Sequence, residues 1–237
     1  MTDSSASSPR PRLVFLHGLN NNAAGFGPLL DHFRARGHAV DFVVLPGHGA
    51  DRGEAPTLDR ALAVFAARME RYRGVPFRAV AFSHGALYLQ LWLACAPGFG
   101  PERQVLLAPA LFVRRQHLLE ALLAVLPGAF RIKSLSPRRF RRFELLSARE
   151  YDVLVRGLLR YQRAGPPPFP APTLALIDPR DELVDAALLR ARFPETVLVP
   201  RPELRGLGAH HILFHPDYFP GDGWAAFTRR LDDFLAG

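Results

Sequence analysis

The sequence predicts an α/β protein, a parallel sheet with helices on both faces, and three observations carry that prediction. Short, largely apolar runs alternate with segments of helical periodicity along most of the 237 residues. The runs stop at turn-forming or polar residues, among them His17-Gly18, Pro46-Gly47, Ser83, Pro109 and Asp178, rather than in a hairpin turn. A composition of 49% hydrophobic and 22% charged residues is that of a globular chain, which excludes disordered, collagen-like and coiled-coil classes. Strands buried on both faces read as unbroken apolar runs, and their helical crossovers make them parallel.

The elements follow in order. Residues 13–16 form the first run and stop at His17-Gly18; Asn20, Asn21, Asn22 and Gly25 then mark a loop. Pro28 suits the first turn of a helix whose stripe is Leu29, Leu30 and Phe33, with Gly37 beyond its end. A strand over 40–45 is broken by Pro46-Gly47-His48-Gly49, and Thr57 caps a helix carrying Leu58, Leu62, Phe65 and Met69. The third strand, 77–82, runs directly into Ser83-His84-Gly85 and a helix over 86–94. After a fourth strand, 105–108, the alternation lapses into a helical, arginine-rich stretch over 111–163 with no strand of its own. Within it Ser147 and Glu150 have capping-box spacing and start a helix that runs to about Arg163. The Pro166-Pro167-Pro168 run is a spacer. Strand 173–177, helix 186–193, strand 196–199 and helix 224–235 complete about six strands. The expected organisation is a disordered tail over 1–12, a core over 13–110 and 166–237, and a helical basic lid over 111–165.

Charge and cysteine usage narrow the function. Thirty Lys+Arg against 22 Asp+Glu make the chain basic, at +8. Residues 111–163 hold 12 basic and 4 acidic side chains, whereas the remainder is balanced at 18 of each. The excess therefore belongs to the lid, and no nucleic-acid partner is expected. The single Cys95 excludes an internal disulfide and reads as a small buried hydrophobe; no Cys/His spacing suggests zinc. Residues 1–12 lack an apolar signal region and no apolar run approaches the roughly 18–20 residues of a membrane span, so a cytoplasmic location is expected.

The chemistry gathers at strand ends. A strand-to-helix turn at Ser83 demands small residues two positions either side, and Ala81 and Gly85 supply them. The helix that follows directs free N–H groups at the same point, and the His84 N–H can receive an oxyanion; Gly18 turns the first strand so that the Leu19 N–H can be the second donor. A serine needs a base, and a base needs an orienting carboxylate. Asp178 and Asp181 follow one later strand and His210-His211 another, in the order Ser, Asp, His.

With these residues, and with the Phe33 to Gly49 stretch ending in Pro46-Gly47-His48-Gly49, the sequence resembles the α/β-hydrolases. Small lid-bearing carboxylesterases, monoacylglycerol lipases and lysophospholipases share that pattern, which the sequence resembles. The resemblance covers nearly the whole chain from Leu13 to Leu235. It implies Ser83 as nucleophile, Leu19 and His84 as oxyanion-hole donors, Asp181 as the acid with Asp178 the alternative, and His210 as base. Alignment on Gly208-x-x-His instead selects His211. Ala81 departs from the family's usual first glycine, and His84 stands where Met, Leu or Gln is frequent.

The resemblance implies a serine hydrolase for a carboxylic ester with a lipophilic or medium acyl group. No cofactor or metal is implied. The expected partner is a small ester, anionic or lipid-like, with peripheral membrane contact through the lid. A thioesterase, peptidase or acyltransferase would use the same triad, and a non-catalytic binding protein would use the basic lid alone. In the lid, Leu118, Leu119, Leu122, Leu123, Val125 and Leu126 serve to dock it or to line an acyl pocket, and Arg138-Arg139-Phe140-Arg141-Arg142-Phe143 forms a basic aromatic run. His17 reads as a structural hydrogen-bonding residue, and His38, His48 and His117 as surface or loop histidines.

Overall fold

Six parallel strands form one sheet in the order β2-β1-β3-β4-β7-β8. They are β1 (Arg12–Leu16), β2 (Val40–Val43), β3 (Phe77–Phe82), β4 (Gln104–Leu107), β7 (Thr173–Ile177) and β8 (Val197–Leu198); β5 and β6 lie outside this sheet. The computed structural model describes residues 10–48, 57–125, 131–133, 145–165, 169–202, 204–205 and 208–237. The tail before residue 10, the arginine-phenylalanine run over 138–143 and the triple proline lie outside these residues.

The period-two alternation of the strands sorts side chains into two cores. Leu13 and Phe15 of β1 and Val80 and Phe82 of β3 point to one face, covered by α1 (Ala23–Ala35) and α7 (Gly223–Ala236) through Phe26, Phe33, Phe227 and Leu231. Val14 and Leu16 with Ala79 and Ala81 point to the other. There α2 (Leu58–Met69), α3 (His84–Leu93), α5 (Ala148–Arg163) and α6 (Ala186–Arg192) bury Phe65, Leu87, Leu158 and Leu189.

The chain leaves β1 to one side for β2 and returns to the other side of β1 for β3. This reversal is a switch point, the place where parallel sheets open a crevice at the carboxyl ends of their strands.

Several sequence expectations shift. The first helix begins five residues before Pro28, because the Asn22 side chain accepts the Gly25 N–H at 2.9 Å and caps it there; Pro28 lies inside the helix. The segment between β4 and β7 is not purely helical. Between α4 (Gln116–Val125) and α5 it contains a two-stranded antiparallel ribbon of β5 (Arg131–Lys133) and β6 (Leu145–Ser147). The α5 helix is docked on the core, with Val153, Leu154, Leu158 and Tyr161 buried beside Leu87 and Leu91. The start of this insert is stitched to the loop after β7: Arg114 N–H donates to Leu183 O at 2.7 Å and Asp185 N–H to Phe112 O at 2.8 Å. Cys95 is exposed rather than buried, and His48 is buried rather than a surface residue. Among the described residues no helix is long and apolar enough to cross a membrane.

Candidate active site

Ser83 occupies the turn between β3 and α3 with φ 51° and ψ −116°, a conformation a non-glycine residue holds only when its surroundings impose it. The surroundings are specific. Ser83 N–H donates to Leu107 O of β4 at 2.9 Å, while its carbonyl accepts Ala86 N–H and Ala110 N–H, each at 3.1 Å. Gly85 lies against the end of β1: a Cβ there would stand 2.5 Å from His17 O and 2.8 Å from Leu16 O. A Cβ on Gly18 would fall 2.7 Å from the Phe82 ring. These two glycines let the loop after β1 abut the turn, so Leu19 and Ser83 lie at neighbouring strand ends across the switch point.

The Ser83 hydroxyl meets His211. His211 Nε2 lies 2.9 Å from Ser83 Oγ, and His211 Nδ1 lies 2.8 Å from Asp181 Oδ2. With the carboxylate as acceptor, Nδ1 carries the proton and Nε2 accepts from the hydroxyl. Asp181 is fully buried, and its Oδ1 accepts the Leu183 and Val184 N–H groups, each at 2.8 Å. Burial alone would raise its carboxyl; the charge and hydrogen bond of His211 and the two backbone N–H groups outweigh burial and hold it below its ordinary value. The His211 ring packs on Phe82, centroids 4.9 Å apart. Ser83, His211 and Asp181 are thus brought together from loops that follow three different strands.

His210, expected at Ser83, is directed elsewhere. Its Nδ1 lies 3.0 Å from Asp178 Oδ2 and its Nε2 accepts Leu204 N–H at 3.3 Å, so neither ring nitrogen is directed to the serine. Successive residues in this turn point to different sides, and the alignment on Gly208 is the one that matches the geometry. Asp178 is not the carboxylate at His211; it is buried against His210 and Arg201. Arg201 is the site residue that sequence reasoning missed. No local pattern marks it, because its hydrogen-bond partners lie between 8 and 23 positions away.

His84 opens α3, so its backbone N–H is one of the helix's unpaired initial donors at the Ser83 turn. Its ring stands edge-on to Tyr88, centroids 4.8 Å apart. Burial, followed by the nearby His48, pushes it down to about 3, so the imidazole is neutral. Its buried Nδ1 has no hydrogen-bond partner among the described residues. His17 is also buried and held well below its ordinary value, by burial and then by His48. Its Nε2 accepts Leu45 N–H at 2.8 Å and its Nδ1 donates to Gly18 O at 2.7 Å, tying β1 and the segment after β2 together at the loop that carries Leu19. No group of His, Cys, Asp and Glu suited to a metal ion occurs among the described residues.

The sequence profile of the serine aminopeptidase, S33 family (Hydrolase_4) matches residues 7–162, well over half of the chain. The chain belongs to this family of α/β-hydrolases. Solved structures agree on the fold. A monoacylglycerol lipase of Paleococcus ferrophilus is similar to this α/β-hydrolase at 19% identity over 96% of each chain, with a TM-score of 0.68. A soluble variant of the Saccharomyces cerevisiae monoglyceride lipase, in complex with a substrate analogue, has 13% identity over 97% of this chain and 88% of its own, with a TM-score of 0.75. Est1E of Butyrivibrio proteoclasticus, with ferulic acid bound, has 16% identity over 98% and 93%, with a TM-score of 0.62. At these identities the likeness is one of fold. No curated protein matches the chain in sequence.

Proposed function

We propose that this α/β-hydrolase cleaves a carboxylic ester through an acyl-enzyme on Ser83. The observation that carries the reading is the continuous relay from Ser83 Oγ through His211 to Asp181, at 2.9 and 2.8 Å. As Ser83 attacks the ester carbonyl carbon, His211 Nε2 takes its proton, and Asp181 supports the imidazolium so formed. The Leu19 and His84 N–H groups receive the oxyanion. Collapse of the tetrahedral adduct breaks the bond to the alkoxy oxygen, which leaves with the proton from His211. Water then gives its proton to His211 and attacks the acyl carbon, and Ser83 recovers that proton as the acid departs.

The ester preference draws support from the monoacylglycerol lipases and the ferulic-acid-binding Est1E among the similar folds. The family's description keeps a peptidase as the second reading. The segment between β4 and β7 is read as the lid, and its surplus of 12 basic over 4 acidic residues across 111–163 favours anionic or lipid-like esters.

Ser83→Ala is the primary test. It should abolish hydrolysis of a short p-nitrophenyl ester and labelling by a fluorophosphonate probe, and full retained hydrolysis would exclude the mechanism. Turnover of amino-acid p-nitroanilides above that of esters would replace the esterase reading with the peptidase one. A panel of esters varied in chain length and head-group charge then identifies the substrate class.

A further inference from the structure

Beside the relay lies a second buried ionic cluster in which Asp178, His210 and Arg201 meet. The Arg201 side chain is 2% exposed and that of Asp178 is wholly buried. Placing charges there is unfavourable unless every donor and acceptor is matched, and here they are. A guanidinium has five N–H groups. Nε donates to Asp178 Oδ2 at 3.0 Å. Nη1 donates to Ile212 O at 2.6 Å and Tyr218 O at 3.3 Å. Nη2 donates to Ala209 O at 3.4 Å and to His210 O. Phe219 lies against the guanidinium, its centroid 5.2 Å from Cζ. Three of the four carbonyls belong to residues 209, 210 and 212, which bracket His211.

The remaining contacts fix the cluster to the acid's loop. Asp178 Oδ1 accepts Arg180 N–H at 2.8 Å, and the Arg180 side chain stands 4.0 Å from it. Glu182 Oε1 accepts His210 N–H at 3.2 Å. Asp178 and Glu182 flank Asp181 in sequence, and Arg201 joins their loop to the one that carries His211. Burial lowers the Arg201 guanidinium, while Asp178, Asp181 and Glu182 favour its charge.

We infer that Arg201 is a positioning residue for the base: by engaging the carbonyls on both sides of His211 and pairing with Asp178, it holds the imidazole in line between Asp181 and Ser83. The inference rests on the proposed serine-hydrolase reading and extends it to a residue that touches neither serine nor substrate. Its chemistry explains why arginine is required. A lysine would pair with Asp178 but, as a point charge with three donors, would not span four carbonyls in a planar fork.

Three variants test it: Arg201→Lys, Arg201→Met, and Arg201→Met combined with Asp178→Asn. Arg201→Met leaves a buried carboxylate with its cation removed and should melt about 5 °C or more below the wild type. The double variant removes both charges and should melt above Arg201→Met. If Arg201 positions the base, the folded double variant and Arg201→Lys each lose at least about ten-fold in kcat and in the rate of fluorophosphonate labelling. KM stays within about two-fold, because the acyl and alcohol contacts are untouched. Wild-type kcat in the double variant would make the cluster purely structural and overturn the inference; should the double variant not fold, wild-type kcat in Arg201→Lys does the same. A wild-type chain that the probe leaves unlabelled would instead overturn the hydrolase reading itself, and this inference with it.

Discussion

Replacing the adjacent histidines one at a time separates chemistry from structure. His211 holds the two hydrogen bonds of the relay, 2.9 Å to Ser83 Oγ and 2.8 Å to Asp181 Oδ2. Without it the Ser83 hydroxyl loses its hydrogen-bonded imidazole, the base of the proposed mechanism, and His210, held at 3.0 Å from Asp178, is not placed to take over. His211→Ala should lose about 10⁴–10⁶-fold in kcat, equivalent to about 5–8 kcal/mol of transition-state stabilisation. His210→Ala has a different cost. It removes a donor to buried Asp178 and the acceptor for Leu204 N–H. Asp178 keeps Arg201 Nε at 3.0 Å and Arg180 N–H at 2.8 Å, so the loss is one charge-assisted hydrogen bond and a partly filled void, about 2–3 kcal/mol. For a chain of this length that is about 4–12 °C in Tm, with a fall in kcat below about ten-fold. The assay pairs ester hydrolysis with thermal unfolding of each purified variant. The assignment fails if His210→Ala is the more damaged in kcat, or if His211→Ala keeps more than a hundredth of the wild-type rate.

Two further perturbations probe what supports the relay. Gly85→Ala would bring a methyl group within 2.5 Å of a backbone oxygen that cannot rotate away; a loss of at least about 2 kcal/mol in urea unfolding is expected, and a variant as stable as the wild type would show the close approach to be unnecessary. Acid should weaken the fold through His17 and His84. Their native pKa values are depressed, that of His84 to about 3, so below the unfolded value of about 6.5 the unfolded chain binds protons that the native state refuses. Stability from these groups is present above that value and falls with pH, by up to about 1.4 kcal/mol per unit for each histidine. Equal urea midpoints at pH 7.5 and pH 5.5 for wild type and for His84→Met would count against this account.

Much of the fold was legible because buried parallel strands leave a coarse signal: short, largely apolar runs closed by turn-forming or polar residues, with helical spacing between them. What was illegible depended on contacts distant in sequence. Each strand of the ribbon, Arg131–Lys133 and Leu145–Ser147, has three residues, too few for alternation to register. Pro28 masked the true helix start, since Gly25 and Gly27 dilute the helical pattern upstream and the cap is an asparagine within a cluster of three. His48 does lie in a turn, but its burial was not legible, since its Nε2 accepts Asn20 N–H at 2.6 Å from 28 positions away. At the site, strand-end placement brought Ser83, Asp181 and the histidine pair into view, whereas the choice within the pair required side-chain direction.

That choice has a physical logic that residue-by-residue weighing misses. Two carboxylates, Asp178 and Asp181, face two adjacent histidines, and deciding each member separately allowed the crossed pairing of Asp181 with His210. In the structure the pairings are coupled: Asp181 takes His211, Asp178 takes His210, and Arg201 lies on the Asp178 side. The coupling follows from what each carboxylate must do. An acid that supports a transient imidazolium is served by neutral donors, the Leu183 and Val184 N–H groups, which stabilise its charge without a permanent cation beside the base. A carboxylate bonded directly to a guanidinium is already neutralised and would support an imidazolium less. On the proposed reading Arg201 separates the two roles: the Asp–His pair it engages anchors the loop, and the pair without it is the one that moves a proton.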